Sequence, residues 1–195
     1  MKSYCFEASA TAAWFAALAF AFSLAASAAE PNLDVKVQIV GEEIHSQVSL
    51  FVRAPQQRVW EVVTDYERAP QYNRDLQVSR ILSRSGEVLR LFQKLLVRFG
   101  PFAMPVETLR EVRLAAPHRA DSRLISGSMR KYDSTIELAP EPGGTRLKYR
   151  SQAIPDSIWA VFAGESIVRE RTEERFRELR AEILRRENHA ALPAQ

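Results

Sequence analysis

A strand that turns directly into a helix is the feature that most constrains the fold of this 195-residue chain. Residues 44–52 alternate in the period-two pattern of a strand with one buried face. Val59, Val62 and Val63 follow at spacings of three and four, which places them on one face of a helix. Pro55 lies between the two patterns, where proline ends a sheet ladder and suits a first helical turn. The sequence therefore predicts a strand-to-helix corner with no long loop.

The amino-terminal residues have the pattern of an export signal. Residues 12–26 are an unbroken run of apolar and small residues, and an Ala-Ser-Ala sequence at residues 26–28 suits a signal peptidase. The run is shorter than the roughly 20 apolar residues that cross a bilayer. We predict a signal peptide over residues 1–28, cleaved after Ala28, and a periplasmic or secreted protein. An inner-membrane anchor is the alternative, because Lys2 is the only basic residue before the run.

Charge and residue types limit the chemistry that the chain can perform. The net charge is +3 and basic residues are interleaved with acids, whereas nucleic-acid-binding proteins concentrate lysine and arginine on one face. The single cysteine, Cys5, lies in the predicted signal, so the mature chain has no thiol. His45, His118 and His189 are too scattered for a zinc site or a nucleophilic triad. We predict no cofactor, no metal and no nucleic-acid partner.

The rest of the chain has the pattern of an antiparallel sheet followed by a long helix. Residues 67–72 suit a second short helix, and residues 33–52 form either a hairpin or one bent strand. Short turns rich in glycine and proline join the later strands, which is typical of an antiparallel meander. Residues 156–186 lack proline and predict one helix, with an ion pair between Glu173 and Arg177. The strands are predicted at residues 33–39, 44–52, 76–83, 87–99, 105–115, 119–126, 132–138 and 145–153.

This order of elements resembles the START-like superfamily, also called helix-grip or SRPBCC. Residues 59–67, 98–102 and 141–147 look like its branch of coenzyme-Q-binding and polyketide cyclase/dehydratase proteins. The resemblance covers residues 35–186 and implies an α+β helix-grip fold. In that fold a curved antiparallel sheet wraps around a long carboxy-terminal helix, and two short helices follow the first strand. We expect one ligand-binding domain over residues 29–187 and a flexible tail over residues 188–195.

The resemblance also implies a cavity between the sheet and the long helix that holds a hydrophobic or amphipathic molecule. The predicted inner face is apolar but is interrupted by a few polar side chains, as in many ligand pockets. The candidate ligand-binding residues are Leu91, Gln93, Leu95, Thr108, Arg110, Tyr132, Ile136, Tyr149, Trp159 and Phe162.

Two of these predictions leave alternatives open. Strict alternation places Arg110 on the inner face, where it could hold a ligand carbonyl or carboxylate. A bulge could instead turn it outward, or an acid could pair with it. Trp159 and Phe162 share a helix face, and Met104 lies in a predicted turn. These residues form either a core cap or an apolar cavity mouth that touches a membrane transiently.

Three function classes follow. We predict an exported, non-catalytic protein that binds a lipid, an isoprenoid quinone or a similar molecule. The first alternative is a cyclase or dehydratase that polarises a carbonyl with Arg110, Tyr132 or Gln93. The second is a periplasmic interaction module whose charged helix end, residues 171–186, recruits a protein partner.

Overall fold

The computed structural model describes residues 32–99, 102–156 and 164–190. The predicted signal peptide, Trp159 and Phe162 lie outside the described residues. In the described part of the chain, no helix is long and apolar enough to cross a membrane.

Eight strands form one antiparallel sheet that is open, with β1 and β3 at its edges. The order across the sheet is β1-β2-β8-β7-β6-β5-β4-β3. The predicted meander is therefore confirmed, and the amino-terminal hairpin extends it beside β8. The strands are β1 Leu33–Val40, β2 Glu43–Val52, β3 Leu76–Ser85, β4 Val88–Phe99, β5 Phe102–Ala115, β6 Arg119–Gly127, β7 Met129–Glu141 and β8 Gly144–Pro155.

The helices confirm the helix-grip prediction. Helix α1 spans Gln56–Val63, a 3₁₀ helix spans Tyr66–Gln71, and the long helix α2 spans Gly164–Ala190. The segment 33–52 is a hairpin rather than one bent strand, so the two short helices follow its second strand. Helix α2 extends three residues into the predicted tail.

The strand-to-helix corner after β2 is held by hydrogen bonds. The Ala54 amide donates to the Val52 carbonyl over 2.9 Å. The buried Thr145 hydroxyl of β8 donates to the Ala54 carbonyl over 2.8 Å. Gly144 packs so closely that a Cβ atom there would overlap the Val52 carbonyl. The corner is therefore tied to the central strand β8, which orients α1 against the sheet.

The core lies between the sheet, α1 and the second half of α2. Helix α1 buries the apolar face that its sequence predicts, and α2 contributes two side chains from its apolar stripe. Fully or almost fully buried members of this core include Leu50, Val52, Val59, Val62, Leu91, Val112, Leu147, Phe176 and Ile183.

The charged half of α2 is attached to the body of the protein by ion pairs. The predicted pair of Glu173 and Arg177 forms on the helix itself, with an N–O distance of 3.1 Å. Four further pairs join α2 to the segment containing the short helices: Arg186 with Asp65 at 2.7 Å, Glu187 with Arg58 at 3.3 Å, and Arg74 with both Glu178 at 2.7 Å and Glu174 at 3.6 Å.

Candidate functional site

A cavity of about 580 Å³ lies between the inner face of the sheet, the 3₁₀ helix and the first half of α2. Its volume falls within the range of about 300–1,000 Å³ that is usual for small-molecule sites. Most of its wall is apolar. The apolar lining includes Leu76, Leu95, Val97, Met104, Val106, Val112, Ile136, Val168 and Leu179.

Arg110 points into this cavity from β5. Its Nη2 atom donates to the Gln93 side-chain oxygen, and its Nη1 atom donates to Ser122 Oγ over 3.3 Å. Gln93 in turn donates its side-chain N–H to Ser79 Oγ over 2.9 Å, which directs its carbonyl oxygen towards Arg110. The Arg110 Nε atom is buried without a hydrogen-bond partner.

The alternative in which a bulge turns Arg110 outward is wrong. The ladder between β5 and β6 does shift beside Arg110, from Leu109 opposite Ser126 to Arg110 opposite Leu124. The extra residue is Ile125 of β6, so the register of β5 is unbroken and Arg110 keeps its inward direction.

Two tyrosines and a second arginine adjoin Arg110. The Arg110 guanidinium lies 5.1 Å from the centre of the Tyr132 ring, and the Tyr132 and Tyr149 hydroxyls are 3.0 Å apart. Arg175 of α2 lies 5.2 Å from the centre of the Tyr149 ring. The Tyr149 ring also packs on Phe176, with 5.2 Å between ring centres. The polar groups are thus grouped around one pair of aromatic rings.

The pKa values of the cavity tyrosines depend on their burial and on the charges near them. Burial raises the pKa of Tyr66 and of Tyr149 to about 12 in each case. Burial would raise the pKa of Tyr132 too, but the positive charges of Arg110 and Arg175 lower it below its ordinary value. The potential beside Tyr132 is therefore positive.

The structure brings most of the predicted site residues together. Leu91 does not line the cavity, and it packs within the core instead. Met104 lies in β5 rather than in a turn, since the hairpin of β4 and β5 continues to its tip, and it does line the cavity. The predicted residues on the cavity wall are Gln93, Leu95, Thr108, Arg110, Tyr132, Ile136 and Tyr149.

Other residues on the wall were missed from sequence. Tyr66 and Tyr72 come from the 3₁₀ helix and its carboxy-terminal end, and Arg175 comes from α2. The spacing of Val168, Arg175 and Leu179 could have indicated Arg175, because steps of seven and four return to the same helix face. No comparable signal exists in the 3₁₀ helix, whose contacts depend on how the corner is folded.

The turn between β6 and β7 forms part of the cavity wall. The two strands pair as far as Arg123 opposite Asp133. Beyond this pair the two strands separate. Residues 124–127 pair with β5, and residues 129–132 pair with β8. Gly127 has a φ of +138°, and a Cβ atom there would overlap the Glu107 carbonyl. Only glycine fits this close approach, which brings the neighbouring turn residues to the wall.

The histidines that the structure describes lie away from the cavity. His45 is on the outer face of β2, 3.5 Å from Glu43. The His118 ring lies 2.8 Å from the side-chain nitrogen of Gln56, beside the β5–β6 turn. His189 is exposed near the end of α2.

Solved structures with the same fold include proteins of different kinds. A protein of Thermus thermophilus is 19% identical, with a TM-score of 0.63 over 72% of this chain and 97% of that chain. The Zhui aromatase/cyclase of a Streptomyces species is 13% identical, with a TM-score of 0.63 over 74% and 95%. A STAR-related lipid transfer protein of Xanthomonas axonopodis is 14% identical, with a TM-score of 0.61 over 78% and 94%. At these identities the likeness establishes the fold.

The sequence itself shows the family. No curated protein matches the chain. A protein-family model described as "Polyketide cyclase / dehydrase and lipid transport" matches residues 52–161, which is more than half of the chain. The matched segment includes α1, the 3₁₀ helix and strands β3 to β8, so it contains most of the cavity wall. The chain therefore belongs to the polyketide cyclase/dehydrase and lipid transport family.

Proposed function

We propose that this protein is an exported, non-catalytic binding protein for a hydrophobic or lipid-like small molecule, such as a lipid or an isoprenoid quinone. The observation that carries the proposal is the apolar cavity of about 580 Å³. Protein interiors are normally close-packed, and an empty apolar volume lowers stability in proportion to its size. A ligand with an apolar body would restore the missing contacts.

The arrangement of polar groups supports a ligand with one polar end. Arg110, Tyr132 and Arg175 are grouped around one pair of rings, while Leu95, Val106 and their neighbours offer only apolar contact. A few placed polar groups in an apolar pocket orient a ligand. The family's lipid-transport members agree with such a role.

Native mass spectrometry of the purified protein tests this function. We expect a complex heavier than the chain, and organic extraction should release a hydrophobic compound. The extracted protein should then bind the neutral dye Nile red. A protein that is isolated empty and binds neither lipid nor dye would contradict the proposal.

Export is tested separately. We expect the protein in the periplasmic fraction of its host, with a mass that corresponds to a chain beginning at Ala29. A full-length chain in the membrane fraction would support the anchored alternative.

A cyclase or dehydratase is the second candidate, and the lowered pKa of Tyr132 favours it. An enol carbon of the substrate would attack a carbonyl that Arg110 polarises, which forms a carbon–carbon bond while the Tyr132 hydroxyl protonates the carbonyl oxygen. The enol O–H proton then restores Tyr132, and the new hydroxyl leaves as water with an adjacent C–H proton. Incubation with a poly-β-ketone should then yield a product that has lost water. Loss of this turnover in both Tyr132→Phe and Arg110→Gln, with dye binding retained, would favour the enzyme over the binding protein.

A further inference from the structure

Two arginines on the cavity wall have no anionic partner. Among the residues that the structure describes, neither Arg110 nor Arg175 forms an ion pair, although many other arginines do. A charge taken out of water is costly unless an opposite charge or several hydrogen bonds compensate it. The cavity therefore has an unmatched positive charge.

The partners of Arg110 are neutral and incomplete. Gln93 and Ser122 accept two of its hydrogen bonds, and its Nε atom has no acceptor. An arginine has five N–H donors, which match the oxygens of carboxylate and phosphate groups. Arg110 thus has spare donors inside the cavity.

Arg175 adjoins the other ring of the tyrosine pair. Its guanidinium lies 5.2 Å from the ring centres of both Tyr149 and Phe176. The Tyr149 hydroxyl is 3.0 Å from that of Tyr132, and Arg110 lies over the Tyr132 ring. Each cation therefore lies against one ring of a hydrogen-bonded tyrosine pair, and both lower the pKa of Tyr132.

The other charges on the cavity wall compensate them only in part. Arg171 pairs with Glu174 at 2.8 Å. Asp75 attracts Arg175 electrostatically, but its ion pair, at 3.2 Å, is with Arg98. The remaining carboxylate, Asp156, is exposed at the end of β8. The positive charges of Arg110 and Arg175 beside the tyrosine pair therefore exceed the negative charge near them.

We propose that Arg110 and Arg175 form an anion-binding subsite, and that the ligand is an acidic amphiphile with a single carboxylate or phosphate head group. The head group would accept hydrogen bonds from the two guanidinium groups, and the tail would lie along the apolar wall of the cavity. This inference rests on the proposed binding function and specifies the class of ligand.

The test compares ligands that share one tail and differ in charge. Decanoic acid, decyl phosphate and decanol compete with Nile red, a neutral probe that reports occupancy of the cavity. We expect at least one of the two anions to displace Nile red at a concentration at least about tenfold lower than decanol, the minimum for one charge-assisted hydrogen bond. Comparison of the acid with the phosphate identifies the preferred head group.

Variants assign the preference to the two arginines. Arg175→Gln and Arg110→Gln should each lower the anion-to-decanol preference by at least about threefold, with displacement by decanol unchanged. Displacement by decanol also shows that a variant is folded. Arg169→Gln, at an exposed position on α2, is the matched control and should leave the preference intact.

The outcomes separate this inference from the function on which it rests. Equal displacement by all three ligands would overturn the anion subsite while the binding function stands. A preference that survives in both variants would also overturn it. Failure of Nile red and all ligands to bind would remove the proposed function and the inference together.

Discussion

The two ends of this molecule use the same sheet and the same long helix, but one is packed and the other is hollow. The packed end surrounds Leu50, Leu147 and Ile183, none of which has any exposed surface. The hollow end surrounds Arg110 and Arg175, whose side chains face the cavity.

The covering element makes the difference. Helix α1 directs Val59, Trp60, Val62 and Val63 into the packed end, where all four are buried. The 3₁₀ helix covers part of the hollow end and has no fully buried residue, although Tyr66 is partly buried against the core. Strand alternation is the same at both ends, so the strands alone do not decide where the protein is solid. The comparison teaches that a cavity arises where the segment packed over the sheet has no continuous apolar face to fill the space.

The largest expected effect is a difference between two identical substitutions. Leu147→Ala in the packed end should lower the free energy of unfolding by about 3 kcal/mol, because it opens a new cavity in a close-packed core. Leu95→Ala should cost less than about 1.5 kcal/mol, because Leu95 already borders a void. Urea unfolding of the ligand-free proteins measures both. Equal losses would contradict the distinction between the two ends.

Acid should weaken the packed end through Glu182. Hydrogen bonds from Arg185 lower the pKa of this buried carboxyl to about 2, with further help from Arg186. A carboxyl with a lowered folded-state pKa stabilises the protein above its unfolded value of 4.5. That contribution is lost as the pH falls from about 4.5 to about 2.

We expect the wild type to lose on the order of 2 kcal/mol more than Glu182→Gln across this window, allowing for the exposure of Arg185. Urea midpoints measured at several pH values would show the two curves converging in acid. Glu170→Gln, at an exposed position on the same helix, is the control. Parallel curves for wild type and Glu182→Gln would show that the carboxyl contributes no acid sensitivity.

Filling the cavity should separate binding from stability. Leu95→Trp places a large ring in the hollow end, and we expect Nile red affinity to fall at least about tenfold. The free energy of unfolding should change by less than about 1 kcal/mol, because the void can accept the ring. Leu147→Trp is the matched comparison and should be clearly destabilising. Unchanged dye binding in Leu95→Trp would place the ligand elsewhere.

The smallest effect is expected on the solvated face of α2. Glu173→Gln removes the ion pair with Arg177, both members of which are partly exposed. Such helical pairs contribute about 0.3–0.5 kcal/mol. Thermal unfolding at low and at high salt would detect the change, which should vanish at high salt. A loss above about 1 kcal/mol would show that this face is packed rather than solvated.

Much of the site could be predicted because strand alternation is a local property. Gln93, Arg110 and Tyr132 lie on the inner face where the period of two placed them. The contacts of helix α2 were harder to predict, because its charged half has no simple sequence pattern. Its acids and arginines pair with Asp65, Arg58 and Arg74, so these charges attach the helix to the body of the protein.

For Arg110 the sequence left an inward and an outward direction open, but by itself it determined the order of elements and the corner at Pro55. Each follows from a local rule of backbone geometry or side-chain alternation. Only the tertiary structure decided that Leu91 lies in solid core while Gln93 on the same strand borders a cavity. Only it placed Arg175 beside Tyr149. Whether the space beside a strand is filled depends on which segments, distant in sequence, pack over that strand. No local sequence pattern determines those contacts.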